Sequence, residues 1–164
     1  MPSREQVSRS GQRTDPAPAY KYYVEIDGVF VAEFTECAGL EVQREVKTYE
    51  EGGVNNYLHK LPGRLKNDTN IRLKRGITYS RQLWDWFYAG AFDGRVVRQS
   101  LSIVLGTVDG FKAQHWNVDR AFPVRYRGPA LKADSGEVAV EEIELTHHGL
   151  ELAAIGASDR ITRG

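Results

Sequence analysis

Apolar and polar side chains alternate along most of the chain, and this two-residue period is the feature that most limits its fold. Tyr22, Val24 and Ile26 form one face of the first alternating run. Asp27-Gly28 follows them as a dipeptide typical of a two-residue hairpin turn. Similar runs recur at intervals of about 8–12 residues, the spacing of sandwiches and barrels. The sequence therefore predicts a mainly β fold, a β-barrel or β-sandwich of six to seven strands.

One segment has a helical period instead. Leu83, Trp86 and Phe87 recur at three- and four-residue spacing, which predicts one α-helix at about 79–90. Gly90 suits the C-terminal end of this helix, where a positive φ is common.

The predicted helix carries a second aromatic stripe, formed by Trp84 and Tyr88 at i, i+4 spacing. Aromatic residues on a short helix of a small domain usually belong to the core. A second stripe is also consistent with burial against a neighbouring subunit. The sequence leaves both interpretations open.

Composition divides the chain into an arm, a domain and a tail. Residues 1–19 are polar and contain three prolines, which predicts a flexible N-terminal arm. Residues 20–152 form the predicted domain, and 153–164 form a small, polar C-terminal tail. Within the domain, 50–69 interrupts the alternation with glycine, asparagine and proline, which predicts a long loop. Long loops inside compact domains are usually functional or ordered by a partner.

Charge is balanced overall but segregated along the chain. The 22 basic and 22 acidic residues cancel, which excludes the basic field typical of a nucleic-acid-binding protein. Residues 59–81 contain seven bases and one acid, whereas 133–151 contain six acids and no Lys or Arg. These segments either lie side by side in one chain or face each other between copies. A head-to-tail contact between copies needs two different complementary surfaces.

Two irregularities in the strands can be predicted. Pro123 lies inside an alternating stretch at 116–126 and has no N–H, so its strand should lie at an edge or contain a bulge there. In the last strand the apolar phase shifts between Val140 and Ile143. That shift predicts a β-bulge at 141–142.

The residues with reactive side chains form no recognisable catalytic or metal-binding motif. His147 and His148 are adjacent, and neighbours on a strand point to opposite faces, so they are poorly placed to share a metal ion. Cys37 is the single cysteine and cannot form an intrachain disulfide. We therefore predict no catalytic residue, no metal and no cofactor. Two alternative functions stay open. One is a hydrolase that uses Cys37 or a histidine, and the other is a monomeric β-barrel that binds a ligand.

Three stretches carry a resemblance to a known family. They are YKYYVEIDGVFVAEFTECAGLEVQREVKTYEEGG at 20–53, LKRGITYSRQLWDWF at 73–87, and WNVDRAFPVRYRGPALKADSGEVAVEEIELTHHGLEL at 116–152. Together they resemble the tail tube proteins of contractile-tailed phages and the inner tube proteins of phage-like contractile injection systems. The third stretch is the most specific, because a W-N strand, an F-P-V step and a final E-L-x-H-x-G-L strand rarely occur together.

The resemblance implies a fold related to the haemolysin-coregulated tube protein of type VI secretion. It implies a structural, non-enzymatic subunit that forms hexameric rings, which stack into a hollow tube inside a contractile sheath. The implied partners are other copies of the chain, the sheath protein, baseplate and tube-terminating proteins, and a cargo effector or DNA in the lumen. The implied location is the cytoplasm during assembly and then a phage tail or injection particle that can be released, with no membrane insertion by this chain.

A stacked tube needs lateral contacts within a ring and axial contacts between rings. The 50–69 segment could supply an axial contact, as an extended hairpin or loop that reaches the next ring. Open sheet edges could supply lateral contacts. The candidate subunit contacts are Tyr57, Lys60, Arg64, Lys66, Arg72, Lys74, Trp84, Tyr88, Glu142 and Glu144.

Overall fold

The fold is known from a computed structural model of the chain. The structure describes residues 21–26, 29–50, 52–53, 58–107, 110–130, 133 and 136–156. The predicted arm at 1–19 lies outside these residues, as does Tyr57.

The described residues contain ten strands and one helix. In chain order these are β1 (Lys21–Ile26), β2 (Val29–Phe34), β3 (Glu36–Ala38), β4 (Gln43–Tyr49), β5 (His59–Lys66), β6 (Ile71–Gly76), α1 (Gln82–Tyr88), β7 (Gln99–Gly106), β8 (Lys112–Arg127), β9 (Val140–Thr146) and β10 (Gly149–Leu152).

Eight of the strands form one antiparallel sheet in the order β2-β1-β7-β8-β9-β6-β3, with β10 paired to β8 beside this path. The two ends of that order, β2 and β3, are successive parts of one stretch of chain. Between them, the backbone N–H of Thr35 donates to the carbonyl of Lys74 in β6 at 2.9 Å. The sheet therefore curls back on itself around its apolar face.

The predicted fold class, a mainly β protein with one helix, is confirmed, although the described residues contain ten strands rather than six or seven. The count rises because β3 follows β2 as a separate short strand, because β5 lies within the segment predicted as a loop, and because β10 follows β9 as a separate strand.

Alternation along the strands builds the core. The core cluster is formed by inner-face residues of β1, β2, β6, β7, β8 and β9 together with Leu83 of α1. Each such side chain contributes roughly 1.5–3 kcal/mol by leaving water. The largest fully buried side chains are Phe34, Ile71, Leu73, Ile103, Val104, Val118, Ile143 and Leu145.

The helix is shorter than the predicted span of 79–90. It begins after Arg81, which is the N-cap and makes no side-chain capping hydrogen bond. It ends before Gly90, whose φ of +84° is the left-handed conformation expected at that position. A Cβ on Gly90 would lie 2.0 Å from the carbonyl oxygen of Arg95, so the turn that follows requires glycine.

The bulge predicted at Pro123 is confirmed, because the pairing of β8 with β9 shifts between Pro123 and Arg125. The bulge predicted at 141–142 is wrong. Strand β9 pairs with β6 without a shift, and Glu141 lies on the inner face with Ile143. The apolar phase is broken because a buried carboxylate occupies a core position.

Arg75 makes the buried position of Glu141 possible. The two residues are directly opposite each other on β6 and β9, and Arg75 Nε donates to Glu141 Oε1. The Arg75 and Glu141 side chains are 6% and 8% exposed. Tyr126 on β8 donates its hydroxyl to the second carboxylate oxygen at 2.7 Å. Three strands are thus joined through one buried carboxylate.

Removal of one member of this pair should strongly destabilise the fold. We expect Glu141→Ala to lower the free energy of unfolding by about 3–5 kcal/mol, because Arg75 would keep a buried charge without its partner. Urea denaturation followed by tryptophan fluorescence measures the change. The exposed Glu137→Ala is the control, and Arg75→Met with Glu141→Leu should recover most of the loss. A loss below about 1 kcal/mol for Glu141→Ala would contradict a structural role for the pair.

Candidate assembly surfaces

The first candidate surface is a hairpin that stands apart from the main sheet. Strands β4 and β5 pair only with each other among the described residues and form a separate two-stranded sheet. The prediction of a long loop at 50–69 is therefore corrected at residues 59–66, which form β5.

The Pro62-Gly63 step marks a bulge in the middle of this hairpin. Arg44 faces Leu65 and Val46 faces Pro62, so Glu45 alone lies opposite two residues of β5. A Cβ on Gly63 would lie 2.8 Å from the carbonyl oxygen of Glu45. The strands can approach this closely only because residue 63 is glycine.

The hairpin exposes apolar side chains that no described part of the chain covers. Val46 is 55% exposed and Leu65 is 57% exposed. Exposed apolar residues grouped on one element are typical of a surface that contacts another chain. The large exposed apolar residues of the hairpin are Val46, Tyr49, Leu58, Leu61 and Leu65.

The hairpin is also basic. Residues 43–49 and 58–66 contain five bases and one acid. Lys60, Arg64 and Lys66 are exposed, and none of them forms an ion pair within the described residues. An apolar and basic hairpin favours a partner surface that is apolar and acidic.

The second candidate surface is a row of alternating charges across the outer face of the sheet. Lys74 on β6 faces Glu36 on β3 and Glu142 on β9. The Lys74 ammonium lies 2.9 Å from Glu36 and 3.9 Å from Glu142, and Arg127 on β8 lies 3.8 Å from Glu142. The row therefore alternates in sign over four strands.

A second row of charges runs parallel to the first, two residues further along β6 and β9. Glu144 on β9 faces Arg72 on β6, and Arg125 on β8 lies 3.6 Å from Glu144. The basic and acidic segments therefore neutralise each other within one chain at β6 and β9. Of the two arrangements that the sequence left open, the register therefore favours the one in which the segments lie side by side within one chain. The unpaired positive charge remains on the hairpin.

The third candidate surface is aromatic and lies on α1. Trp84 stacks on Tyr88 with 5.0 Å between ring centroids, and Tyr126 meets Trp84 edge to face at 5.1 Å. Phe92 packs against Tyr88 and is 92% exposed. Among the helix residues only Leu83 is buried. The aromatic stripe is thus on the surface rather than in the core.

Tyr126 connects this aromatic surface to the core. Burial, together with the hydrogen bond to Glu141, raises the pKa of Tyr126 to about 12. The hydroxyl is therefore protonated at neutral pH and remains a donor to Glu141. The ring of Tyr126 contacts Trp84 while its hydroxyl holds the buried carboxylate.

The Cys37 thiol and the potential metal ligands are the reactive side chains among the described residues. Burial raises the pKa of the Cys37 thiol to about 12, so at neutral pH it is not the thiolate that nucleophilic catalysis requires. Within the part of the chain that the structure describes, no group of three or more His, Cys, Asp or Glu side chains could hold a metal ion. No helix among these residues is long and apolar enough to cross a membrane.

A mainly β domain that carries an exposed apolar hairpin, uncovered by any other described residue, is typical of a protein that contacts another chain. The family model of the T4-like virus tail tube protein gp19 matches residues 18–151, and the chain belongs to this family. The resemblance predicted from the sequence is confirmed. Sequence comparison with proteins of curated function gives no match.

Solved structures show the same architecture. A chain of an extracellular contractile injection system, the PVC sheath-tube complex in the extended state, is 26% identical with a TM-score of 0.72, over 94% of this chain and 100% of that one. A chain of the anti-feeding prophage cap, the AFP tube terminating cap, is also 26% identical with a TM-score of 0.72, over 86% and 93%. A type six secretion system protein at 14% identity and a TM-score of 0.56, over 82% and 83%, shares the fold.

The sequence missed two features of these surfaces. The Arg75, Glu141 and Tyr126 network was missed because Glu141 was interpreted as part of a bulge, although a charge in the phase of core residues is a signal of burial. The exposed apolar surface formed by hairpin side chains such as Leu61 and Leu65 was not predicted, because these residues lie in a predicted loop. Their alternation with bases was the available signal.

Charge reversal in the outer rows should act within the chain. We expect Glu142→Lys to lower the free energy of unfolding by about 1–2 kcal/mol, because it places like charges beside Lys74 and Arg127. The loss should shrink at high salt, since the two bases are partly exposed. Glu137→Lys, with the same change in charge, is the control for thermal or urea unfolding. Equal stability of the two variants would mean that the row contributes nothing to the fold.

Proposed function

We propose that the chain is the inner tube subunit of an extracellular contractile injection particle, and that its copies form hexameric rings stacked into a hollow tube inside a contractile sheath. The observation that carries this proposal is the likeness to a chain of the PVC sheath-tube complex, which is aligned over its whole length. Membership in the tail tube family supports the same role.

The hairpin is the proposed axial contact. Its apolar side chains and its bases Lys60, Arg64 and Lys66 are available to a second copy, and Tyr57 is proposed to contribute beside them. The outer edges of β4 and β5 carry backbone groups that pair with no other described strand. Such edges are templates for pairing with another chain.

Helix α1 is the proposed second contact. Trp84 and Tyr88 supply large apolar area at low entropic cost, which suits an interface. Because a ring or stack of identical copies needs two different surfaces on each copy, the hairpin and the aromatic surface can serve different contacts. The outer residues Arg72, Lys74, Glu142 and Glu144 are proposed to contribute to subunit contacts as a neutral, rigid face.

The proposed mechanism is mechanical and requires no catalysis. The sheath shortens, and the rigid tube moves forward and carries a cargo effector or DNA in its lumen. Sheath, baseplate and tube-terminating proteins are the proposed partners, and the likeness to a chain of a tube terminating cap supports the last of these. We propose assembly in the cytoplasm before the particle is released.

A cavity favours one alternative, a monomeric β-barrel that binds a small apolar ligand. The cavity has a volume of about 300 Å³ and lies between α1 and the sheet. Most of its wall is apolar, and it is formed in large part by Val24, Phe34, Leu73, Leu83, Trp86 and Val97. Ligand binding by a protein that stays monomeric would support this alternative.

Loss of the hairpin should abolish tubes and spare the domain. Gln43 and Lys66 are paired across the hairpin, so an Asn-Gly turn can join them in place of residues 44–65. We expect negative-stain electron microscopy to show rings or tubes for the natural chain and no tubes for the shortened one. Circular dichroism should show a folded β protein for both. Long tubes from the shortened chain would refute the axial role, and monomers from the natural chain would refute the proposed function.

The basic side chains of the hairpin should strengthen assembly. We expect Arg64→Glu to lower the assembled fraction, because each exposed contact is worth about 0.5–1 kcal/mol and recurs at every copy. Sedimentation at low and high salt measures this fraction, and the difference from the natural chain should narrow at high salt. Arg95→Glu, an exposed change outside the hairpin, is the control. Equal sedimentation of the two variants would exclude Arg64 from the contact.

A further inference from the structure

The hairpin is joined to the sheet through two short crossings, residues 39–42 and 67–70, which touch each other at their base. Gly39 has a φ of +88°. A Cβ on Gly39 would lie 2.1 Å from the carbonyl oxygen of Asn70, so the two crossings meet backbone to backbone. We call this point, together with the residues that bond to it, the hairpin root.

Three hydrogen bonds hold the second crossing against the end of β9 and the start of β10. His147 is 6% exposed, and its Nε2 lies 3.2 Å from the carbonyl oxygen of Thr69, to which it donates. Asn70 Nδ2 donates to Glu144 at 2.8 Å, and Asn67 Nδ2 donates to the carbonyl of His148 at 3.4 Å. Of the three donors, His147 is the most deeply buried.

Beyond the root a cleft separates the hairpin from the sheet. The cleft has a volume of about 450 Å³, with Val42 and Leu65 on the hairpin side and Leu150 and Glu151 on the side of β10. Among the described residues, β5 and β10 form no backbone pairs with each other. The described hydrogen bonds between this segment and the sheet are therefore concentrated at the root.

We propose that His147 and Asn70 are positioning residues that fix the direction in which the hairpin leaves the sheet. Loss of either bond frees the second crossing, and the hairpin then samples a range of angles across the cleft. The inference rests on the proposed function in one respect: a hairpin with variable direction meets the next copy less often, so tubes form less readily.

Distance measurement in the isolated chain tests the positioning role directly. Lys60→Cys on the hairpin and Gln114→Cys on β8 place spin labels at two exposed positions. Cys37→Ala in the same background removes the natural thiol, so only the two introduced cysteines carry labels. Pulsed electron paramagnetic resonance then gives the distribution of distances between hairpin and sheet.

We expect His147→Leu and Asn70→Ala each to broaden the distribution, and His147→Gln to restore it because the amide can donate to Thr69. Thr107→Val, which removes side-chain hydrogen bonds far from the root, is the control and should leave the distribution narrow. Asn70→Ala keeps the test valid if His147→Leu does not fold. An unchanged distribution in the folded root variants would overturn the positioning role.

Electron microscopy of the same variants separates this inference from the proposed function. We expect fewer tubes for the root variants than for the natural chain, because a hairpin with variable direction meets the next copy less often. Tubes from the natural chain decide the proposed function, whereas the distance distributions decide the positioning role. Broad distributions with normal numbers of tubes would overturn the link between hairpin direction and assembly.

Discussion

The antiparallel register between β6 and β9 is the constraint on which the rest of the structure depends. It places Arg75 opposite Glu141 inside the sheet and Lys74 opposite Glu142 outside it. A shift of one residue would carry Glu142 and Glu144 into the core and the buried pair to the surface. Such a shift would bury charges that cost several kcal/mol each without partners. Charge therefore helps to specify the register here, together with apolar alternation.

This register also distributes charge between the sheet and the hairpin. The bases of β6 are neutralised by the acids of β9, so the outer face of the sheet carries alternating rows and little net field. The bases of the hairpin have no such partner among the described residues, and they lie beside uncovered apolar side chains. A sheet with little net charge and a hairpin whose basic side chains have no acidic partner among the described residues suit a particular kind of subunit. The domain of such a subunit folds alone, and its projecting element binds another copy.

The same buried carboxylate connects the core to the aromatic surface. Glu141 accepts from Arg75 and from Tyr126, and the ring of Tyr126 packs against Trp84 on α1. At the opposite side of β9, Glu144 accepts from Asn70 at the root of the hairpin. One strand thus contacts the elements that carry two of the proposed subunit contacts.

Local patterns in the sequence determined the fold class, the single helix and the bulge at Pro123, because each depends on residues within a few positions of one another. The inward position of Glu141 was decided only by tertiary structure, since its partner Arg75 is 66 positions away. The choice between loop and hairpin was likewise decided by tertiary structure, because glycine, proline and asparagine in 50–69 indicate turns locally, whereas pairing with β4 makes 59–66 a strand. The pairing of a charged side chain depends on which strand lies beside its own strand in the sheet. The sequence alone does not specify that order of strands.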